Sequence, residues 1–227
     1  MNQFKKVMVA GILIGGLLSG CASSGEVSGG KSEEPKKEAT KADQKPLKKD
    51  SEGNYILEEV GQIAPNEDAT GELLGIAKVN QVVDIAPLKV TVKDIKLIKL
   101  SDVSEDMAVS LSMYTGGDYE DLQKGFSYIQ VQYETENTSE GNVSWNDLET
   151  AVTDAGEQID VSMEDFHFDD AESDSMFIGK VKKEFIDSFI VKNDQINKVK
   201  LVFGASSNSD TYDTFTDNQT VEYELER

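Results

Sequence analysis

Along much of this chain apolar side chains recur at every second residue, and a period of two is the signature of extended backbone. In Phe126 to Asn137 (FSYIQVQYETEN), Ile129, Val131 and Tyr133 point one way while Gln130, Gln132 and Glu134 point the other. Val199, Leu201 and Phe203 repeat the pattern, as do Val221, Tyr223 and Leu225, and also Ile159, Val161 and Met163. Val90 and Val92 alternate, then Ile95 and Leu97, with a phase slip at Lys93 and Asp94 that predicts a β-bulge. Turn-forming clusters separate these runs at Asn137 to Gly141, Asp154 to Gly156 and Gly204 to Asn208. One apolar and one polar face per strand predicts antiparallel sheets sharing a core, so the chain reads as mainly β, an antiparallel β-sandwich. Phe177 to Val191 carries apolar residues on both faces (Phe185, Ile186, Phe189, Ile190), and part of it is expected to be covered from both sides.

One stretch breaks the period. Met107 to Tyr114 fits a strand by alternation or a short helix after Ser104, and Gly116-Gly117-Asp118 then ends it. Residues 101 to 125 are therefore expected to form a helical or irregular insertion between two strands, with Asp118 to Asp121 as a loop. Residues 55 to 87 supply a lead-in in which Val79 to Ile85 is the expected strand. No repeat of 20 to 50 residues is visible, and residues 55–227 are expected to form one domain.

The first residues have a different logic. Lys5 and Lys6 precede twelve uncharged residues, Val7 to Leu18. As a helix they would span about 18 Å, short of the roughly 30 Å hydrocarbon core, which reads as a secretory signal over residues 1–20 and not as a membrane span. Leu18-Ser19-Gly20-Cys21 resembles the lipobox of bacterial lipoproteins. The resemblance implies cleavage before Cys21, a diacylglycerol thioether on its sulfur, a palmitate-type lipidated N-terminus, and membrane attachment through that lipid on the extracytoplasmic face; the lack of disulfides in an exported chain points to a Gram-positive surface. Two or three acyl chains bury enough CH₂ groups for stable anchoring, which one does not. Residues 21–54 then hold Ser, Gly, Pro, Lys and Glu, with only Val27 and Leu47 as larger aliphatics, so a disordered stalk is expected. Its 33 residues after the cysteine would have an r.m.s. span of about 30 Å as a flexible coil.

Charge and cysteine usage exclude whole classes of function. The formal net charge is −21, yet the first 52 residues hold nine basic and seven acidic groups, so residues 53–227 carry −23 from 13 basic and 36 acidic side chains. A polyanion gains no counterion release from nucleic acid, which is excluded as a partner, and anionic lipid head groups repel it. With one Cys and one His there is no internal disulfide, no four-Cys zinc site and no two-His metal motif.

Leu88 to Leu225 resembles the immunoglobulin-like domain of unknown function common on Gram-positive lipoproteins, related to mycobacterial immunoprotective extracellular antigens. The residues that carry the likeness are Tyr128 to Tyr133, Glu136-Asn137-Thr138, Val152 to Gly156, Gly179-Lys180-Val181 leading to Phe189-Ile190-Val191, and Lys200 to Phe203. The chain departs from the pattern in the 101–125 insertion and in lacking a Pro-Gly turn near residues 182–184. The resemblance implies an immunoglobulin-like sandwich and no reaction.

Catalytic residues do not emerge. His167 is the only imidazole, expected on a partly exposed strand or loop, and no Ser in a recognisable nucleophile turn accompanies it. Trp145, between Val143 and Leu148, is expected as a core or rim anchor. The densest acidic run, Glu164 to Asp174, holds six acids in eleven residues, and Asp170, Glu172 and Asp174 alternate as hard-cation ligands often do. Divalent-metal (Ca²⁺) binding by those three is the alternative reading, and a carboxylate-based hydrolase the next. The leading expectation is a non-enzymatic module that needs no cofactor and binds an envelope or extracellular protein.

Overall fold

The computed structural model describes residues 45–50, 53–167 and 176–227. The signal segment, most of the expected stalk, Cys21, and Asp170, Glu172 and Asp174 lie outside the described residues. In chain order the elements begin with β1 (Lys48–Lys49), β2 (Tyr55–Ile56), β3 (Ile63–Pro65), β4 (Thr70–Ile85) and β5 (Leu88–Ser101). Two helices follow, α1 (Glu105–Thr115) and α2 (Tyr119–Gln123), before β6 (Phe126–Asn137), β7 (Val143–Trp145), β8 (Leu148–Thr153) and β9 (Gln158–Asp160). A single-turn helix α3 (Val161–Glu164) precedes β10 (Met176–Phe177), β11 (Lys182–Val191), β12 (Lys198–Phe203), β13 (Ser206–Asn208), β14 (Thr214–Thr216) and β15 (Gln219–Glu224).

The strands form an antiparallel β-sandwich. One sheet runs β11-β6-β5-β4-β3, and the facing layer comprises β15-β12-β8-β9 and β10-β7-β13-β14. The two parts of that layer repeat one strand order, because β7 and β8 are interrupted at residues 146–147, β12 and β13 at 204–205, and β14 and β15 at 217–218. The alternating residues read from the sequence meet between the layers: Val90, Val92, Ile95, Leu97, Ile129, Val131 and Tyr133 from one side, Ala151, Val199, Leu201 and Phe203 from the other. The phase slip at Lys93 is a register shift between Val92 and Asp94, as its pattern predicts.

Aromatic rings fill the centre. Tyr133 stacks on Phe185 at 5.1 Å and meets Trp145 edge-on at 6.2 Å, and Trp145 lies 6.2 Å from Phe203. Trp145 is 1% exposed, and its indole N–H donates to the Gly204 carbonyl at 2.9 Å. The close approach dictates glycine at 204, where a Cβ would stand 2.8 Å from the Asn146 Cβ and 2.9 Å from its carbonyl oxygen. The anchor expected of Trp145 is thus a core residue tied to the interruption of both neighbouring strands.

The five-stranded sheet has a second apolar side. Leu73, Ile76, Ile98, Leu100 and Tyr128 point away from the sandwich and pack with Met107, Ala108, Leu111, Leu122 and Phe166. The insertion at 101–125 is therefore a helical layer, and Gln130, two residues after Tyr128 on that side of the sheet and expected on a solvated face, is buried. Asp118 to Asp121 is not a loop, since Asp118 caps α2. The strand expected at Val79–Ile85 is the far end of β4, which begins at Thr70.

Two other expectations are corrected. The alternation Ile159, Val161, Met163 stops being a strand after Asp160, and α3, beginning at Val161, leaves Met163 74% exposed. The chain turns there to cover the edge of β11. The Asp165 carboxylate accepts the Ser188 N–H at 2.6 Å and the Phe166 N–H donates to the Ser188 carbonyl at 2.9 Å. His167 is accordingly buried, not partly exposed, drawn in behind Phe166, whose ring lies 5.3 Å from Tyr128.

The ends of the described chain add three further ties. Ile76 and Glu226 exchange backbone hydrogen bonds at 2.9 Å, joining the end of the second layer to β4. The Arg227 guanidinium donates to the carbonyls of Asp194 and Ile196 at 2.7 and 2.9 Å. Lys48–Lys49 pairs with Tyr55–Ile56, and Gln62 Nε2 donates to the Pro46 carbonyl at 2.8 Å. The stalk boundary drawn at residue 54 thus falls inside a hairpin, held by Leu47 and Tyr55 against the helical-side core.

Trp145→Ala is expected to cost about 3–5 kcal/mol, the range for emptying an aromatic site in a packed core. Trp145→Phe should cost less, yet still destabilise, because the buried Gly204 carbonyl loses its donor. Urea denaturation of the variants against the parent chain measures both.

Candidate functional site

Among the described residues singled out by sequence, none converges on a catalytic arrangement. Cys21, Asp170, Glu172 and Asp174 are outside the described residues, Trp145 is in the core, and His167 is packed under the β11 edge. Among the described residues no group of three or more His, Cys, Asp or Glu is placed to hold a metal ion.

The helical layer offers a different kind of site. Ser104 fixes the start of α1: its Oγ accepts the Met107 N–H at 3.2 Å and donates to Asp68 Oδ1 at 3.0 Å, while its own N–H donates to the Asp68 carbonyl at 2.7 Å. Glu105 and Asp106 follow in the first turn, where negative charge suits the helix dipole. Gly116 ends the helix with φ 66° and an N–H donated to the Ser112 carbonyl, a left-handed cap that glycine adopts without cost. Two residues on, the Asp118 carboxylate accepts the N–H groups of Glu120 and Asp121 at 2.9 and 3.3 Å and starts α2. The return to β6 passes through Gly125 at φ 107°, where a Cβ would lie 2.5 Å from the Leu100 carbonyl oxygen.

This hairpin buries Met107, Ala108, Leu111 and Leu122 and leaves another apolar set in solvent. Val109 is 42% exposed, Met113 80%, Tyr114 58% and Tyr119 43%. Val109 and Met113 are four residues apart and so share one face of α1. Residues 101–125 also hold six acids (Asp102, Glu105, Asp106, Asp118, Glu120, Asp121) against one base, Lys124. That base is engaged, its ammonium 2.7 Å from Asp121, which raises its pKa. An open cleft of about 530 Å³ lies beside the hairpin, lined by Glu105, Tyr119, Glu120, Gln123 and Lys124. Elsewhere several lysines are spent on sheet carboxylates: Lys182 and Lys93 on Glu134 at 2.8 and 3.6 Å, Lys198 on Glu224 at 2.7 Å.

A second feature stands at the interruption of the bent layer. Asp147 adopts φ 36°, and its carbonyl accepts the Gly204 N–H at 2.7 Å. Burial, aided by the Glu149 charge, pushes its carboxyl up to about 6. Glu149 accepts from Asn218 Nδ2 at 2.6 Å and from Asn146 Nδ2 at 3.3 Å. A carboxyl protonated in mild acid can donate a proton, but the cleft at the helical hairpin does not include this pair. Sequence reasoning missed both places. Asn146-Asp147 after Trp145 did signal a left-handed break, and Val109 with Met113 did signal a second apolar face on α1.

No protein-family model matches the chain, and no curated protein matches it. Among solved structures, a functionally unknown protein from Listeria monocytogenes EGD-e is similar at 11% identity and a TM-score of 0.46, covering 68% of this chain and 86% of that one.

Gly125→Ala is expected to destabilise the chain by about 2 kcal/mol or more, since the left-handed backbone and the Leu100 carbonyl both oppose a side chain. Thermal unfolding reports it. The raised Asp147 carboxyl gives a signed pH effect: its contribution to stability is complete below the ordinary carboxylate range and is lost as pH rises through about 6. Asp147→Asn should therefore be more stable than the parent by about 1–2 kcal/mol at pH 7 and level with it near pH 4. Denaturation midpoints of both chains across that range decide it.

Proposed function

We propose that this chain is a lipid-anchored extracytoplasmic lipoprotein whose sandwich domain acts as a non-enzymatic interaction module. Cleavage before Cys21 leaves the lipid on that residue as the membrane attachment, and the Lys-, Glu- and Ser-rich segment after it holds the domain away from the bilayer. The immunoglobulin-like resemblance of Leu88 to Leu225 belongs to the same reading.

The observation that carries the interaction role is the exposed apolar set Val109, Met113, Tyr114 and Tyr119 on a hairpin whose opposite face is already packed. Solvent-exposed apolar residues gathered on one element, and rimmed by charge, mark contact surfaces more often than isolated ones do. Their acidic rim and the net charge of the domain disfavour nucleic acid and anionic head groups, leaving a protein of the envelope or the extracellular space as partner.

The anchor is tested by feeding cells an alkyne-labelled palmitate. The parent chain should take up label and sediment with membranes, whereas Cys21→Ser should lose the label and leave the membrane fraction or stay as uncleaved precursor. A Cys21→Ser chain that is processed to the same size and still membrane-bound overturns the lipoprotein assignment.

A further inference from the structure

Apolar exposure, negative charge and a cleft coincide at the helical hairpin. We propose that the α1–α2 surface docks an arginine-containing amphipathic segment of a partner protein. The proposal rests on the interaction-module reading and names the chemistry of the partner.

Three observations select that occupant. Met113 and Val109 lie on one helical face, and Met113 is the most exposed apolar side chain of the hairpin at 80%. An unbranched thioether adapts to whatever apolar side chain is laid on it, which suits the anchor of an amphipathic ligand. One turn before Val109 on α1, Glu105 lines the cleft together with Tyr119 and Glu120, so an aromatic ring and two carboxylates share one opening. A guanidinium can lie flat on a tyrosine face while its N–H groups reach carboxylates at the rim, a combination a lysine ammonium does less well. Finally, the charge is one-sided: six acids to one base across residues 101–125, with the base already paired to Asp121. An acidic or neutral apolar segment would meet the same anchors without the charge match. An anionic membrane surface would be repelled.

The patch is small, so the contact belongs to the weak, transient class. Like charges elsewhere on this acidic domain would also attract any cation, and the test must separate site from field.

Fluorescence anisotropy on the full chain carrying Cys21→Ser, and so free of lipid, supplies the measurement. Three synthetic amphipathic helices with one shared apolar face are compared, bearing Arg, Lys or Glu on the polar face. Phosphatidylglycerol vesicles form a fourth arm. The Arg peptide should bind best, with Lys weaker and Glu undetectable. Met113→Ser combined with Tyr119→Ser should weaken the Arg peptide tenfold or more, as should Glu105→Gln combined with Glu120→Gln. Glu222→Gln combined with Asp210→Asn, exposed acids outside the helical layer, should change it less than twofold. Circular dichroism of each variant confirms that the fold is kept.

Equal binding of the Arg and Glu peptides, or vesicle binding that the Met113 and Tyr119 changes abolish, overturns the proposal. So does a loss produced equally by the control pair, which would reduce the effect to bulk charge. A photo-crosslinker at position 113 in cells separates the two levels. A discrete cross-linked protein whose contact segment is not basic sinks the arginine assignment and leaves the interaction-module reading standing. No binding in any arm, together with no cross-link at position 113, removes both.

Discussion

The five-stranded sheet has to be apolar on two sides at once, and the rest of the structure depends on that requirement. A sheet with one solvated face needs only alternation, and a partner layer on one side completes it. Here Ile95 and Leu97 point into the sandwich while the adjoining Ile98 and Leu100 point out of it, so β5 carries apolar residues on both faces over its last turn of the pleat. Water cannot be left on that outer face. The chain supplies cover from four separate places: the helical hairpin, Leu57 of the lead-in, Leu47 and Tyr55 of the N-terminal hairpin, and Phe166 after α3. Each is local in sequence to a strand end, which keeps the connections short.

The same demand explains the edges. A sheet covered on both sides still exposes unpaired N–H and carbonyl groups at its outer strands, and such edges invite pairing with other chains. At β11 the 165–166 segment meets Ser188 through one carboxylate and one backbone N–H, serving as a partial sixth strand. At β4 the C-terminal Glu226 does the same opposite Ile76. Gly75 makes room there, since a Cβ would stand 3.2 Å from the Arg227 side chain and 3.3 Å from the Glu226 carbonyl. The bend in the facing layer has its own device. Gly204 and the left-handed Asp147 bring two interrupted strands close enough for the Trp145 indole to reach a main-chain carbonyl.

These arrangements were legible in the sequence to differing depth, for physical reasons. Strands whose apolar residues all point to one core, such as Ile129-Val131-Tyr133 and Val199-Leu201-Phe203, announce themselves because period two has no competing explanation. The bulge at Val92 was legible for the same reason, as a break in phase. Ile159-Val161-Met163 misled because alternation over three apolar positions is satisfied by a strand of three residues followed by one helical turn; only the first two reach the core. The burial of His167 was not legible, since its cause is Phe166 packing on Tyr128, a contact 38 residues away in sequence. The helical insertion was half legible. Ser104 and Gly116 are cap residues at the right spacing, yet which face of α1 the sheet would cover depends on Ile98, Leu100 and Tyr128, whose own orientation follows from strand register.

The candidate surface follows from that last dependence. Packing uses Met107, Ala108 and Leu111, and an eleven-residue helix held through so few positions has an outer face free of structural duty. Selection for solubility alone would place Lys, Glu or Ser there. Instead Val109 and Met113 occupy it, beside tyrosines at 114 and 119, while the neighbouring positions are acidic. Acids at 105 and 106 are sufficiently explained by the helix dipole, and Asp118 by its capping role. Glu120 and Asp121 sit in the first turn of α2 and share that explanation. Val109, Met113 and Tyr119 have no such local account, because the positions the two helices bury are Met107, Ala108, Leu111 and Leu122. What remains is the space outside the molecule, where a complementary segment would cover the apolar set and find its charges met by carboxylates already in place for another reason.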